Sequence, residues 1–337
     1  MKKILLFAFS YLAVNVSVAQ SDKQLTHFMF DKMSFNPATT GFKGYSATAI
    51  YRGQWDKFEN APNTMLVNLQ GNLPNLFNGS GVGLSFTNDV IGLGKEVNMT
   101  LNFAKHLPVP GYGVLSAGIA AGIVNIGFDP KWNGPQTGYS NSSLDVNLPT
   151  GASGTGLNFN FGLHFKGNEG YYVGLSATNL SQPDLTNVNF TKARNYYVMG
   201  GYEITAKQFP LMPTTLTITP QFLFKTDGTA GITDFNVMAN FWVPGTNMGI
   251  YAGVTYRTKE AFAVLVGFQQ KLYSTASGEK GALGGSPDIL KFGYSYDANT
   301  NKTINIYGNG SHELFVNYSI FAPPPKVQRY GNVFILQ

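Results

Sequence analysis

From Leu157 to Lys166 the chain alternates at every step. Leu157, Phe159, Phe161, Leu163 and Phe165 are large and apolar, while Asn158, Asn160, Gly162, His164 and Lys166 are polar or small. A period of two marks a strand with one greasy face and one wet face. The same alternation returns along most of the chain. Ala47, Ala49, Tyr51 and Trp55 share a face, as do Met65, Val67, Leu69 and Leu73, then Val82, Leu84 and Phe86. Val97 to Phe103 and Leu115 to Ile123 precede the stretch at Leu157. A segment beginning at Tyr171 follows with an unclear phase, and then Tyr196, Val198, Tyr202 and Ile204. The last six run from Leu216 to Phe224, Phe235 to Phe241, Ile250 to Tyr256, Phe262 to Phe268, Leu290 to Tyr296 and Leu314 to Ile320. This predicts about fourteen strands of roughly 9–14 residues, the length a tilted strand needs to cross a bilayer.

Two architectures accommodate such faces. A soluble sandwich turns them inward, whereas a membrane barrel turns them to lipid and lines its interior with the wet face. A large secreted all-β protein is the rival, but so many one-sided strands with few charges opposite would be unusual for it. The pattern therefore predicts an all-β fold, a transmembrane antiparallel β-barrel. An even strand number places both ends of the barrel on one side, the periplasmic one.

The gaps between strands are expected to be long outside and short inside. Gaps near Asp89–Glu96, Asp129–Gly154, Leu180–Ala193 and Ala298–Ser311 fall outside, and Asp129–Gly154 is the longest. Gly167-Asn168-Glu169-Gly170 and Pro244-Gly245-Thr246-Asn247 read as short inner turns. Tyr273 to Asp288 breaks the pattern, because it is long and rich in Gly and Ser yet falls inside. It is either a periplasmic insertion or the mark of a one-strand slip in the reading.

The start of the chain does not alternate. Lys2 and Lys3, the apolar run Ile4 to Val14 and the small residues of Ser17-Val18-Ala19 form a secretory signal, with Gln20 expected as the mature start. An uncleaved anchor would need a longer apolar run. Residues 20–45 are expected as an N-terminal periplasmic or plug segment, 46–321 as the barrel and 322–337 as a short extended periplasmic tail. The tail cannot continue the sheet, since Pro323, Pro324 and Pro325 remove ladder donors.

Composition strengthens this picture. Charged residues make up 12% of the 337, about half the usual share of about 25% in soluble domains. Polarity comes instead from Asn, Thr, Ser, Gly and Tyr, as expected where wet and greasy positions alternate. The net charge of +5 falls to +3 without Lys2 and Lys3 and is scattered, which excludes a nucleic-acid reading. With no cysteine there is neither a disulfide framework, nor a thiolate metal site, nor a lipid-attachment cysteine. Aromatics near strand ends, such as Tyr112, Tyr171, Tyr196 and Phe321, suit interface girdles, although β-propensity alone also favours them.

Catalytic chemistry finds no support. His27, His106, His164 and His312 stand at no metal-ligand spacing. His164 falls on a wet face as a polar lumen residue, and His312 and Glu313 point to opposite faces of one strand. Gly92-Leu93-Gly94-Lys95-Glu96 lacks the spacing of a phosphate loop. No cofactor, metal or enzymatic activity is expected.

The most specific motifs lie at the two ends. They are Asn36-Pro37-Ala38 with Gly41, Tyr51-Arg52 with Gln54-Trp55, Gly293-Tyr294-Ser295-Tyr296-Asp297, and Ser311-His312-Glu313. In that order they resemble the PorP/SprF family of type IX secretion outer-membrane proteins of Bacteroidota. His27 departs from the family pattern before Phe28-Met29-Phe30, and Tyr273–Asp288 is longer than the usual connection. The resemblance implies an outer-membrane component of the secretion and gliding apparatus. Its expected partner is a secreted adhesin or enzyme with a type B C-terminal signal domain, exported or anchored at the cell surface. Periplasmic ring proteins and a peptidoglycan-binding lipoprotein are the partners implied for the other branch of the family. The alternative is a channel of porin or fatty-acid-transporter type.

Several residues are expected to matter. Arg52 and Gln54 lie opposite Tyr51 and Trp55, so they should point inward and hold a plug. Phe28, Met29 and Phe30 should seal the periplasmic mouth or dock a periplasmic partner. Trp132 and Tyr139, amid Asn, Ser and Gly in the longest outer loop, suit a recognition surface, against a plain loop or a plug folded into the lumen.

Overall fold

A computed structural model of the chain describes residues 23–58, 60–73, 79–128, 152–185, 190–206, 211–273, 286–300, 309–321, 327–330 and 333–336. The alternating stretches become strands β1 (Tyr45–Gly53), β2 (Asn63–Leu73), β3 (Ser80–Ile91), β4 (Gly94–Val109), β5 (Gly113–Phe128), β6 (Ala152–Gly167) and β7 (Tyr171–Thr178). A two-stranded pair, β8 (Asp184–Leu185) and β9 (Phe190–Thr191), sits in the next connection. The wall resumes with β10 (Asn195–Tyr202), β11 (Leu216–Thr226), β12 (Gly231–Trp242) and β13 (Met248–Arg257). It is completed by β14 (Ala261–Leu272), β15 (Asp288–Asn299) and β16 (Ser311–Ile320).

Each wall strand pairs antiparallel with its neighbours, and β1 closes on β16 to leave no free edge. Fourteen strands form the ring, in chain order around it. Closure gives every wall strand a partner on both sides, and hydrocarbon demands such an edgeless sheet. The outer face is the greasy one. Leu157 is 62% exposed while its neighbour Asn158 is 1% exposed, and the same contrast runs through Phe159, Phe161 and Leu163 against Asn160 and His164. The unclear phase after Tyr171 resolves with Tyr172, Gly174 and Ser176 inward and Val173 and Leu175 outward.

One end of the barrel carries the β1–β2, β3–β4, β5–β6, β7–β10, β11–β12, β13–β14 and β15–β16 connections; we call it the loop end. The other, the turn end, carries both termini of the barrel.

One alternative is settled and three expectations change. There is no strand slip at Tyr273–Asp288, because β14 and β15 pair from Ala261↔Asn299 to Leu272↔Asp288. The long connection belongs to the turn end. The outer gap near Asp89–Glu96 shrinks to the two-residue turn Gly92-Leu93, with Gly92 at φ 62. A primed hairpin turn requires that left-handed backbone, and it lets both strands run on with the twist of the sheet. β4, β5 and β6 accordingly reach 16 residues each, longer than the alternation alone marks out. After Ile320 the chain leaves the barrel sheet and its end pairs with itself, β17 (Val327–Tyr330) on β18 (Val333–Leu336), instead of staying extended. Residues 1–22, with the expected signal, and Asp129 to Gly151, with Trp132 and Tyr139, lie outside the described residues.

Candidate functional site: the filled lumen

A fourteen-strand ring is wide enough to leave a channel unless something fills it. Here the segment before β1 does so. It descends from the loop end to the turn end, making contacts at every level. At the loop end Gln24 donates to Glu260 (2.9 Å) and accepts from Gln54 (3.3 Å).

One turn deeper lies the main anchor. The Glu313 carboxylate accepts the backbone N–H groups of Thr26 (2.8 Å) and His27 (2.7 Å), and His27 Nδ1 lies 2.7 Å from the same group. The Thr26 hydroxyl donates to Asp297 at 2.9 Å and accepts from Arg52 Nη1 at 2.9 Å. Arg52 bridges Asp297 (2.7 Å) and Glu313 (3.3 Å). A second arginine extends the cluster, since Arg257 reaches Asp297 (3.1 Å) and Asp234 (2.7 Å). Strand register builds this directly, with Arg52 opposite Glu313 and Asp234 opposite Arg257.

All five charged side chains are almost wholly buried. Charges leave water only where paired and hydrogen-bonded, because an unpaired one costs several kcal/mol. The anchor therefore depends on all of its members. Leu25, Phe28 and Phe35 add an apolar contact, packing with Ile50, Leu66, Tyr172, Tyr197, Met199, Leu223 and Phe315.

The segment then crosses the lumen, passing β2 on its way to β6 and β7. Asn68 donates to Asp31 (2.5 Å) and to Ser34 (2.7 Å). Burial pushes the Asp31 carboxyl above its ordinary range, and the hydrogen bonds from Ser34 and Asn68 oppose that rise. Asn36 caps the 3-10 turn Pro37–Thr39. Its Oδ1 accepts from Ala38 N–H (2.9 Å), and its Nδ2 donates to the wall carbonyls of Leu163 (2.9 Å) and Leu175 (3.3 Å). Pro37 suits the first position of that turn because no donor is needed there.

The wall makes room with glycine. A Cβ on Gly162 would lie 2.0 Å from Asn36 Oδ1, and one on Gly118 2.3 Å from the Ala38 nitrogen. Farther down, Gly41 donates to Gln70 Oε1 (2.8 Å), and His106 Nε2 lies 2.9 Å from the Thr40 carbonyl. His164, facing inward, packs between Phe42 and Tyr172.

The residues singled out in the sequence divide into groups. Arg52, Gln54, Asp297 and Glu313 meet Thr26, His27 and Gln24 in the lumen. Asn36, Pro37 and Gly41 shape the crossing. Phe28 is buried in the apolar cluster, and Met29 and Phe30 border a cavity below it. Tyr51, Tyr294 and Tyr296 face outward, with Tyr294 Oη 2.7 Å from His312 Nδ1. Trp55 stands at the loop end at φ 50, edge-on to Phe58. Thr26, Arg257 and Asp234 escaped the sequence reading. Asp234 and Arg257 carried a signal, for each is a charge on the wet face of a strand whose other face is greasy.

A family model described as type IX secretion system membrane protein PorP/SprF matches residues 17–318. No curated protein sequence matches the chain. Among solved structures, the CymD monoaromatic hydrocarbon channel aligns with a TM-score of 0.56 at 12% identity, covering 87% of this chain and 93% of that one. The P. putida toluene transporter TodX gives 0.52 at 10% identity, with 86% and 93% covered. At these identities the likeness is one of fold, that of an outer-membrane barrel.

Proposed function

The chain belongs to the PorP/SprF family of type IX secretion system membrane proteins, and from that membership we propose that it is a plugged outer-membrane holder. In this reading it helps export, or anchors at the cell surface, one cargo protein carrying a type B C-terminal domain. The observation that carries the reading is the filled lumen. A pore needs a continuous wet path, and here the N-terminal segment is tied to the wall at both ends and in the middle. A holder needs only a rigid base in the membrane with loops above it. The buried ion cluster supplies that rigidity at the level from which the loops rise.

The test is affinity purification from outer membranes through a tag on the C-terminal tail, read by mass spectrometry. Recovery of one large secreted protein with a type B C-terminal domain supports the reading. Recovery of ring proteins and a peptidoglycan-binding lipoprotein instead assigns the chain to the machinery. If neither appears and liposomes carrying the wild-type barrel conduct, the channel reading replaces both.

A further inference from the structure

The filling is incomplete. In the turn-end half of the lumen a cavity of about 370 Å³ remains, roofed by Met29, Phe30 and Met33. Its charge is one-sided. Lys32, Lys43, Lys166 and Lys291 line it, and Glu203 is its single acidic residue among the described residues. Lys166 Nζ lies 3.2 Å from Glu203, so that pair is satisfied.

The other three ammonium groups have no carboxylate within ion-pair distance among the described residues, and Glu203 acts on them only from farther off. Lys32 lies 3.3 Å from the centroid of the Tyr172 ring and Lys291 4.7 Å from that of Phe30, so two are held in place by aromatic faces. Burial and the like charges of Lys43 and Lys166 push the Lys32 ammonium well below its ordinary range. An ammonium is disfavoured in so one-signed and partly dehydrated a space, and an anion placed among the lysines would relieve that cost.

The shape of the cavity narrows the choice of anion. Its mouth, at Gly44, Ser46 and Phe321, opens at the turn end. The β1–β16 seam beside that mouth is paired from Tyr45↔Ile320 to Gly53↔His312, so it holds no lateral slot for acyl chains. A mouth at the turn end admits a ligand from the aqueous side. The cations are spread around the cavity and separated by amides and hydroxyls such as Thr217, Thr219 and Asn240. Those groups both donate and accept, as a peptide backbone requires. We propose that the turn-end half of the lumen receives an acidic peptide segment presented from the periplasm. The site does not depend on which cargo the barrel carries, so a failed cargo pull-down leaves it standing.

The experiment uses the full barrel in detergent and a fluorescein-labelled hexaglutamate peptide, read by anisotropy. Saturable binding that hexaglutamine does not reproduce is expected. Lys43→Gln should weaken it about tenfold, the effect of one lost charged hydrogen bond. Lys43→Gln/Lys291→Gln should weaken it further, and Lys43→Arg should restore it. Lys43 is exposed to the cavity, so its variants should keep the gel mobility of the folded barrel. Equal binding of hexaglutamine, or undiminished binding by the double variant, overturns the proposal. So does displacement of the peptide by inorganic pyrophosphate at lower concentration than by unlabelled hexaglutamate, which would make this a phosphate site.

Discussion

Replacing Glu313 with alanine should release the top of the N-terminal segment while leaving the wall intact. Three donors would lose their acceptor: the N–H groups of Thr26 and His27, at 2.8 and 2.7 Å, and the His27 ring at 2.7 Å. A buried donor left without a partner costs about 1–3 kcal/mol. Breaking a buried pair costs about 3–5 kcal/mol, because the surviving charge stays behind. Here the surviving charge, Arg52, still has Asp297 at 2.7 Å, so the low end applies. A loss of about 3 kcal/mol raises the opened population roughly a hundredfold. Hydrogen exchange by mass spectrometry in nanodiscs reads this directly. Fragments covering residues 24–30 should exchange roughly a hundredfold faster, whereas fragments from β11 and β12 should not change. Glu313→Gln keeps one acceptor oxygen and should fall between. If residues 24–30 of Glu313→Ala exchange within about threefold of wild type in an intact barrel, the anchor is not where the segment is held.

Deleting residues 24–43 should raise single-channel conductance in planar bilayers well above that of the intact chain; unchanged conductance would mean that the segment does not close the lumen. Gly118→Val places carbon against the Ala38 nitrogen, where even a Cβ would sit at 2.3 Å. The overpacking, about 1–3 kcal/mol, should lift the Asn36–Thr39 turn and open a tryptic site after Lys32 or Lys43. Phe159→Arg, on the lipid face near the middle of β6, should destabilise the barrel by about 2–4 kcal/mol in urea titrations of vesicle-refolded protein. Asn160→Arg, one residue on and facing inward, should instead disturb the filling and not the fit to lipid.

The wall was legible because its rule is local. Period two fixes the face of a residue wherever the alternation is clear, and all fourteen stretches, including the one of unclear phase after Tyr171, are strands of the ring. The same parity placed Arg52 and Gln54 inside. It could not say which charges would meet. Thr26 and Glu313 are 287 residues apart, and only register around the closed ring brings them within 2.8 Å. Loops were read less well. A two-residue turn such as Gly92-Leu93 interrupts no alternation, so nothing in the pattern marked where β3 ended. The crossing at Asn36 rests on wall glycines at 118 and 162, which the sequence offers as unremarkable strand positions.

The seam has a consequence for biogenesis. β1 and β16 are the first and last wall strands to leave the ribosome, and their pairing sets Arg52 opposite Glu313. Before the ring closes neither has its partner, and the two N–H groups of Thr26 and His27 have no carboxylate to receive them. A ring closed one residue out of register would turn Arg52 toward lipid. A ring closed empty would leave Glu313 without three of its donors. Correct register, closure and filling are thus tested together by one set of buried charges, which makes the seam an assembly checkpoint as well as a joint.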